Sequence, residues 1–428
     1  MTTFFTTFCA LSEAKGMDIK MYKKNVVVIG AGMSGRGYIG ELLFKEGWDI
    51  TFADIDEDLI NKMNKNKKYK VYKYDDLDNE EIIEVNKYRA LHTVIDHDEY
   101  INSLVNADLI MTALYSEAFE KVVSDLVEAI RAKMKNCQNS KMTITLGANY
   151  VGLYDKYDEL FRKQLTGSEL CFYEANVNLV ESIILRVSSM GTEEQRLDDE
   201  LSVQGGNRGT LQVNKVITRT ICQENLPKFF ILEEDTLRIM KLKIWRHNTL
   251  HCSLAFMGKY NDNKYIYEAA RDDFISKCAF YASEEGDMGL ASIYGAEVLP
   301  SKGELIGTWD SYRDDSIKDT ISRVARDPMR KLSRNERFIG PALLCIENGI
   351  LPYYICKGAA YGFFYEDYDD IKSIKLKEKV SELGIEKAIE TVCGLDLSKD
   401  NEKIIFDMIL KSYNELTINP IEKLKENN

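Results

Sequence analysis

The fold of this chain is decided by the stretch Asn25-Val-Val-Val-Ile-Gly30-Ala-Gly32-Met-Ser-Gly35. Its first part is a β-branched run, which is typical of a central parallel strand buried on both faces. The three glycines follow at G-x-G-x-x-G spacing, and a helical apolar pattern comes directly after them. A second strand, Asp49–Ala53, then ends on Asp54. This order of strand, glycine turn, helix, strand and acid predicts an α/β fold with a doubly wound parallel sheet.

The glycine turn indicates a dinucleotide site in a Rossmann-type domain. Gly30 permits a tight turn, Gly32 lets the backbone approach a pyrophosphate, and Gly35 allows close packing of a helix whose N-terminus attracts phosphate. Asp54 is placed to hydrogen-bond the adenosine ribose and to repel a 2′-phosphate, which predicts NAD rather than NADP. The expected cofactor-binding residues are Gly30, Gly32, Met33, Ser34, Gly35, Asp54, Thr112 and Ala113. A turn that holds another nucleotide, such as the cofactor of a methyltransferase, is the alternative.

Length, charge and cysteine content restrict the classes of protein to which this chain can belong. The chain has 428 residues, 45% of them apolar, which is enough for two domains of ordinary size. A formal net charge of -13 argues against a general nucleic-acid or anionic-membrane surface, so we expect small-molecule partners. The nine cysteines show neither C-x-x-C spacing nor a Cys/His cluster, and we expect reduced thiols, no metal site and a cytoplasmic location. The sequence sets no oligomeric state.

The order of elements predicts two domains. Residues 1–20 lack the basic and apolar regions of a secretory signal, and we interpret them as a possible disordered extension. Residues 21–233 alternate strands with helices and form the expected NAD-binding domain, whereas residues 234–428 are almost purely helical. The apolar stretch Phe338–Tyr365 is interrupted by charges, prolines and glycines, so we expect core helices there and not a membrane span.

Periodicity predicts the individual elements. In the first domain the later expected strands are Asp108–Ala113, Lys141–Leu146, Glu169–Tyr173 and Ile183–Val187. Its later expected helices are Asn79–Val85, Asp98–Val105 and a long helix capped by Ser116. In the second domain the expected helices are Leu237–Met257, Tyr265–Glu284, Ser316–Arg326, Arg337–Asn348, Lys377–Val392 and Asn401–Asn414. The segment Gln204–Gly209 has no assignment.

The candidate catalytic apparatus opens the helical domain, in Lys243-Ile-Trp-Arg-His-Asn248-Thr-Leu-His251. At about 100° per residue, Lys243, Asn248 and His251 project from one side of a regular α-helix, together with the apolar Met240 and Ile244. Burial lowers the pKa of a lysine toward neutrality, which suits the amine to take and return a proton. The alternative is a solvated Lys243 and an Asn248 that caps a turn.

A second asparagine, Asn149, follows the predicted strand Lys141–Leu146. In an open parallel sheet ligands bind beyond the carboxyl ends of the strands, so Asn149 is expected where chemistry takes place. A side chain of this kind can hydrogen-bond an alkoxide or a carbonyl oxygen. An ordinary turn asparagine is the alternative reading of this position.

These residues together resemble a known family, the polyol-specific long-chain dehydrogenases, which include mannitol dehydrogenases, mannitol-1-phosphate 5-dehydrogenases and hexuronate reductases. The spacing of Lys243, Asn248 and His251 is similar to the K-x4-N-x2-H signature of the family. Arg323 and Lys331 match its R-x7-K pattern. The glycine turn, together with Phe52-Ala-Asp54, most resembles the mannitol-1-phosphate 5-dehydrogenase branch.

The resemblance implies a hydride transfer that needs no metal. Lys243 would be the general base for alcohol oxidation and, as the ammonium, the acid for ketone reduction. Asn149 and Asn248 would hold the reacting oxygen and stabilise its developing negative charge. His251 would position a neighbouring substrate hydroxyl.

The resemblance also implies residues that bind the rest of the substrate. Arg323 and Lys331 would reach its far hydroxyls, although surface charge in a basic run is the alternative for both. Glu181 would also bind the substrate. It lies in Val180-Glu-Ser-Ile183, where relatives carry Val-Asp-Arg-Ile. Ser182 thus replaces an arginine, and Leu250 stands where the phosphate-specific branch usually has glycine.

The expected function is that of an NAD-dependent oxidoreductase that interconverts D-mannitol 1-phosphate and D-fructose 6-phosphate. Within the same class, the alternative is a dehydrogenase or reductase of an unphosphorylated polyol or a hexuronate. From other classes, the alternatives are a non-catalytic NAD-binding sensor and a phosphosugar-binding module that needs no NAD.

Overall fold

A computed structural model describes residues 24–74, 80–136 and 140–418 of the protein. Residues 1–20, interpreted above as an extension, lie outside these ranges. The strands are β1 (Asn25–Ile29), β2 (Asp49–Asp54), β3 (Lys68–Tyr74), β4 (Glu80–Asn86), β5 (Tyr88–His92), β6 (Leu109–Thr112), β7 (Met142–Gly147), β8 (Val177–Ile183), β9 (Ser188–Met190), β10 (Val203–Gly206), β11 (Leu211–Asn214) and β12 (Phe230–Glu233).

The helices begin beside the glycine turn and dominate the second half of the chain. They are α1 (Glu41–Lys45), α2 (Glu57–Asn66), α3 (His97–Asn106), α4 (Phe119–Asn136), α5 (Leu153–Gln164), α6 (Ser168–Asn176), α7 (Glu193–Asp198), α8 (Thr236–Leu242), α9 (Asn248–Tyr260), α10 (Ile266–Arg271), α11 (Asp273–Tyr294), α12 (Lys302–Arg313), α13 (Ile321–Ala325), α14 (Pro328–Lys331), α15 (Ile339–Glu347), α16 (Tyr353–Gly362), α17 (Ile371–Cys393) and α18 (Asp400–Ile418). Two π-helical turns lie at Gly35–Gly40, before α1, and at Lys243–His247, between α8 and α9.

The larger sheet has the strand order β12-β11-β8-β7-β6-β1-β2-β5. Every neighbouring pair from β8 to β5 is parallel. The chain therefore builds outward from β1 to β2 and β5, and then continues on the other side of β1 with β6, β7 and β8. This is the order of a Rossmann-type doubly wound sheet, so the predicted fold class is confirmed. The order reverses between β1 and β6, and ligands of such sheets bind at the carboxyl ends of the strands beside that point.

Strand β1 lies at the centre of this sheet. Its residues Val26–Ile29 are each at most 2% exposed, as expected of a parallel strand covered on both faces. Val28 packs in the apolar cluster that also contains Ile39 of the helix after the glycine turn. Val27 points to the opposite face and shares a cluster with Val123 of α4. The alternation of neighbouring side chains thus fixes a helical layer on each face of the sheet.

The helical half has its own core and joins the sheet through a small apolar cluster. This cluster combines Val151 and Ile183, which follow or end strands of the sheet, with Met240, Ile244 and Trp245 of the first helical segment. Met240 is 5% exposed and Ile244 is fully buried, as the helical pattern predicts. The segment that carries Lys243 is therefore packed directly against the carboxyl edge of the sheet.

One predicted helix is a strand. Within the described residues, the segment predicted as the helix Asn79–Val85 forms β4, which pairs antiparallel with β3 in a second, smaller sheet. Ile83 and Val85 are buried at alternate positions, which is the period of a strand. Three glutamates in the same segment favour a helix by propensity, and the pairing with β3 overrides that preference.

Two predicted strands of the first half were also wrong in type or position. Glu169–Tyr173 belongs to the helix α6, whose Tyr173 ring stacks on Phe161 of α5 with ring centroids 5.0 Å apart. The strand predicted at Ile183–Val187 is β8, which ends at Ile183. Ser116 does not cap α4: it lies inside the short 3-10 turn Ser116–Ala118 before that helix, and its hydroxyl donates to the neighbouring Glu117 carboxylate.

The predicted helices of the second half are present with altered bounds, except that α17 is interrupted at Gly384, which has a φ of +76°. The segment Tyr265–Glu284 is divided at Asp272, whose carboxylate accepts hydrogen bonds from the first backbone N–H groups of α11. The segment Ser316–Arg326 is helical only over α13. Among the residues that the structure describes, no helix combines the length and apolar character that crossing a bilayer requires.

The glycine turn is shaped by two close backbone approaches. Gly30 has a φ of +98°, and a methyl group on it would lie 2.4 Å from the Ala113 carbonyl oxygen. A methyl group on Gly35 would lie 1.8 Å from the Gly30 carbonyl oxygen. A methyl group on Gly32 would meet no atom within 4 Å. The first and third glycines are therefore required by the fold, whereas the second leaves an open space above the turn.

The two positions Gly35 and Gly32 allow a matched test of this packing. We expect Gly35→Ala to lower the free energy of unfolding by about 1–3 kcal/mol or more, because the new methyl group overlaps backbone atoms. The same change at Gly32 should stay within about 0.5 kcal/mol of the unchanged protein. Chemical denaturation of both variants measures the difference, and equal losses at the two positions would contradict the described turn.

Candidate active site

The predicted cofactor-binding residues meet at the switch point of the sheet. One carboxylate oxygen of Asp54 accepts a hydrogen bond of 2.6 Å from the Ala31 backbone N–H inside the glycine turn. The Ala113 N–H donates to the Ile29 carbonyl, and the Thr112 hydroxyl accepts from Gly147 N–H at 3.0 Å. The acid, the glycine turn and the end of β6 therefore form one continuous edge.

Two more predicted positions begin the helix that leaves the turn. Met33 and Ser34 are half-buried there, directly after the exposed Gly32. A helix N-terminus next to an open glycine presents backbone N–H groups to an anion. The space over Gly32, which a side chain would fill, thus fits a pyrophosphate group.

Lys243 lies at the same edge, three strands away from β1. Its Nζ donates to Asn149 Oδ1 at 2.5 Å and to the Ile184 carbonyl oxygen at 2.5 Å. Asn149 follows β7, and Ile184 directly follows β8. Because β7 and β8 are parallel neighbours, their carboxyl ends present these two acceptors side by side. The sheet therefore holds the lysine amine at its carboxyl edge.

The surroundings of the Lys243 amine favour its neutral form. Burial lowers its pKa to about 8, and the nearby positive charge of Arg337 adds to this effect. A neutral amine has two N–H groups and one lone pair. With both N–H groups donated to Asn149 and Ile184, the lone pair is left for a proton from outside the protein. The arrangement is thus suited to general acid–base chemistry near neutral pH.

Asn248 is aligned with Lys243 by the π-helical turn. The Asn248 N–H donates to the Lys243 carbonyl, five residues back, so the two residues stand one above the other. The sequence pattern predicts a regular α-helix here. In such a helix the Asn248 side chain would point about 140° away from that of Lys243, which is more than a third of a turn. Within the described ranges the Asn248 side chain makes no hydrogen bond, so its amide is available to a ligand.

His251 is bound to a carboxylate that sequence analysis did not find. Its Nε2 lies 3.0 Å from Asp319 Oδ2, and its ring lies beside that of Tyr312, with centroids 5.1 Å apart. Asp319 also receives two hydrogen bonds from Arg323, each of 2.7 Å. Two predicted site residues, His251 and Arg323, are therefore brought together by one acid.

Lys331 is buried in a positively charged part of the site. It is 5% exposed, and its ammonium group makes no hydrogen bond to the described part of the chain. Burial and the charge of Arg337 lower its pKa to about 7. Arg337 is itself buried and pairs with Glu336 at 3.0 Å. Lys331 is therefore a poorly compensated buried amine, unlike the surface lysine that its basic run suggested.

The carboxylate of Glu181 forms hydrogen bonds that join different segments of the protein. It accepts from the Tyr154 N–H at 3.0 Å and from the Thr236 hydroxyl at 2.9 Å. These contacts tie the end of β8 to the segment after β7 and to the start of α8. The side chain of Ser182 is buried and donates to the Leu146 carbonyl at 3.0 Å. The substrate-binding role predicted for Glu181 stays a prediction.

Sequence reasoning missed Asp319, Tyr312, Arg337 and the Ile184 carbonyl. Only Asp319 carries a local signal, because it stands four residues before Arg323, the spacing of an ion pair on one helical face. The others reach the site through tertiary packing. Among the described residues, no group of three or more His, Cys, Asp or Glu side chains is arranged to hold a metal ion.

Two profiles of one known protein family match most of this chain. The family profile described as the mannitol dehydrogenase Rossmann domain matches residues 24–206, and that of the mannitol dehydrogenase C-terminal domain matches residues 236–405. A mannitol-1-phosphate 5-dehydrogenase of Thermoanaerobacter pseudethanolicus is 27% identical over 399 residues, which cover 91% of this chain and 97% of the relative. One of Clostridium acetobutylicum is 27% identical over 395 residues, or 90% of this chain and 97% of the relative.

Solved structures share the fold. A Pseudomonas fluorescens mannitol 2-dehydrogenase, solved as a ternary complex with NAD and D-mannitol, superposes with a TM-score of 0.70 at 14% identity, covering 94% of this chain and 93% of that one. A D-sorbitol dehydrogenase in substrate-free form gives a TM-score of 0.62 at 13% identity and covers 90% of this chain and 92% of that one. The arrangement of sheet and helical half is thus similar in both.

The buried amine of Lys331 gives a prediction for stability. Lys331→Met should raise the free energy of unfolding by about 1–3 kcal/mol at roughly pH 6.5, because an unpaired polar group leaves the interior. The folded pKa of about 7 lies below the ordinary 10.5, so the unfolded chain binds more protons between these values. The free energy of unfolding of the unchanged protein therefore rises with pH across this window. The stability that Lys331→Met gains over the unchanged protein becomes smaller as the pH rises. Urea denaturation near both ends of the window tests this, and a pH-independent advantage would contradict it.

Proposed function

The chain belongs to the mannitol dehydrogenase family, and we propose that it is an NAD-dependent oxidoreductase that interconverts D-mannitol 1-phosphate and D-fructose 6-phosphate. One observation carries the proposal. The Lys243 amine is held by Asn149 and Ile184 at the carboxyl edge of the sheet that also carries the glycine turn. The named activity of the relatives, mannitol-1-phosphate 5-dehydrogenase, supports the choice of substrate.

The proposal assigns NAD to residues 21–233 and the proton chemistry to residues 234–428. Gly32 would hold the pyrophosphate and Asp54 the ribose, and Thr112, Ala113 and Asn149, at the same edge of the sheet, would hold the rest of the dinucleotide. Neighbouring strands are about 4.8 Å apart, so the carboxyl end of β8, which Ile184 follows, lies roughly 14 Å along the edge from β1. NAD, when bound there, supplies the acceptor for a hydride.

Lys243 is proposed as the acid and base of the reaction. In alcohol oxidation the lone pair of the neutral amine takes the proton of the substrate hydroxyl. In ketone reduction the ammonium returns that proton to the carbonyl oxygen. Asn149 turns its Oδ1 to Lys243, so its Nδ2 is left to donate to the reacting oxygen. The amide of Asn248 is the second proposed donor, and both stabilise negative charge on that oxygen.

Positive charge in the crevice supports a phosphorylated substrate. The charge of Arg337 acts on Lys243, His251 and Lys331, which places all three within its electrostatic reach. Arg323, Arg337 and the ammonium forms of Lys243 and Lys331 stand against two carboxylates, those of Asp319 and Glu336. The excess of positive charge attracts an anionic sugar and holds it after binding.

The proposal includes a cytoplasmic enzyme of small-molecule metabolism. Every cysteine in the described ranges is a free thiol, and those at positions 252, 278, 345, 356 and 393 are buried. Unpaired thiols are typical of a reducing compartment.

A substrate panel tests the proposed reaction. With NADH, we expect fructose 6-phosphate to be reduced with a kcat/KM about 10–100-fold above that of fructose, since charge-assisted contacts to phosphate contribute about 1.5–3 kcal/mol. Absence of turnover with fructose 6-phosphate, fructose and hexuronates would refute an oxidoreductase of this kind. Turnover of fructose or a hexuronate alone would move the assignment to the unphosphorylated alternative.

Calorimetry separates the non-catalytic alternatives from the proposed enzyme. The proposed enzyme is expected to bind NADH, since residues 21–233 are its proposed NAD-binding domain. A sensor would bind NADH and show no turnover with any of the sugars. A phosphosugar-binding module would bind fructose 6-phosphate and ignore NADH.

The role of Lys243 predicts a pH profile. Because the amine must be neutral to accept a proton, kcat for mannitol 1-phosphate oxidation should rise with pH through about 8, and kcat for reduction should fall through the same value. Lys243→Ala should lower kcat by about 10²–10⁴-fold in both directions. Lys259→Ala, at an exposed lysine of α9, is the matched control and should leave kcat unchanged. An oxidation rate that is flat across this range would count against the proposed base.

A further inference from the structure

The carboxylate of Asp319 is a fixed acceptor between two site residues. It receives the Nε2 of His251 at 3.0 Å on Oδ2, and it receives Nε and Nη2 of Arg323 at 2.7 Å, one on each oxygen. The side chain of Asp319 is only 16% exposed. Its backbone is held as well, since the Ile266 N–H donates to the Asp319 carbonyl at 3.0 Å. Asp319 is thus held against His251 by its own backbone and by Arg323.

This contact determines which nitrogen of His251 carries hydrogen. Burial raises the pKa of Asp319, but the hydrogen bonds from His251 and Arg323 outweigh it and lower the pKa to about 2. An ionised carboxylate only accepts, so the nitrogen that faces it, Nε2, must donate. The other nitrogen, Nδ1, makes no hydrogen bond to the described part of the chain.

The groups around the ring keep it neutral. Burial lowers the pKa of His251 below its ordinary value, and the positive charges of Arg323 and Arg337 act in the same direction against the opposing Asp319. Tyr312 of α12 covers one side of the ring, with the two ring planes inclined at 47°. A neutral imidazole with hydrogen on Nε2 has an unprotonated Nδ1.

We propose that Asp319 is a positioning residue that fixes His251 in the Nε2–H form, so that Nδ1 acts on the substrate as a hydrogen-bond acceptor and selects a hydroxyl group. The inference rests on the proposed function and deepens it. A sugar hydroxyl has a hydrogen to donate to Nδ1, whereas an ionised phosphate or carboxylate oxygen has none. The phosphate of the substrate is therefore directed away from His251, and the hydroxyl next to the reacting carbon is bound there.

Nitrogen NMR on the unchanged full-length protein tests the tautomer directly. The chain has four histidines, so ¹⁵N-labelled ring signals are few, and the spectrum of His251→Asn identifies those of His251. Near neutral pH we expect hydrogen on Nε2 and none on Nδ1. A ring protonated on Nδ1, whether alone or together with Nε2, would overturn the proposal.

A double-mutant cycle tests whether Asp319 acts through His251. Asp319→Asn should lower kcat/KM for fructose 6-phosphate about 10–100-fold, as the loss of a histidine-orienting carboxylate does in other sites. In the His251→Asn background the same change should cause a much smaller loss, because only the contact of Asp319 with Arg323 remains. An undiminished effect of Asp319→Asn in that background would contradict the proposal.

A matched control removes the same charge from the same segment. Asp315→Asn takes away a carboxylate that pairs with Arg271 at 3.2 Å and should leave kcat/KM unchanged. Melting temperatures of all variants report whether the fold is kept. If Asp319→Asn does not fold, the tautomer in the unchanged protein decides the question.

The outcomes also separate this inference from the proposed function. Turnover of fructose 6-phosphate with an Nδ1–H histidine would refute the inference and keep the function. An Nε2–H histidine in a protein that turns over none of the sugars would keep the inferred tautomer and refute the proposed function.

Discussion

Two hydrogen bonds from the Lys243 amine, to Asn149 and to the Ile184 carbonyl, are the interaction on which the candidate site depends. They exist because β7 and β8 run parallel and end at the same edge. Burial and the charge of Arg337 lower the pKa of this amine into the neutral range. The apolar neighbours Met240 and Ile244 press the segment onto the sheet. The fold therefore sets both the position and the protonation of the proposed base.

The parts of the site that the sequence predicted are those fixed by local geometry. A strand, a glycine turn and a following acid determine one another over short distances, so the order of elements from Asn25 to Asp54 was predicted correctly. Asn149 was expected at a strand end, and the parallel order of the sheet brings it to Lys243. The position of Asn149 follows from the direction of the strands, whereas Lys243 reaches it through the packing of Met240 and Ile244.

The parts that the sequence did not predict depend on packing between distant segments. The π-helical turn at Lys243–His247 aligns Asn248 with Lys243. No pattern of residues in this segment predicts a π-helical turn. Tyr312 and Arg337 come from elements far along the chain and meet the site only in the folded protein. The strand β4 was predicted as a helix, a structure that its glutamates also favour, and pairing with β3 makes it a strand.

The central claim is that burial withdraws the Lys243 amine from water and lowers its pKa from 10.5 to about 8, so that it can both lose and accept a proton near neutral pH. The most direct measurement is an NMR titration of that amine, with its signal identified by the spectrum of Lys243→Met. The structure predicts a pKa of about 8. A value near the ordinary 10.5 of an exposed lysine would contradict it.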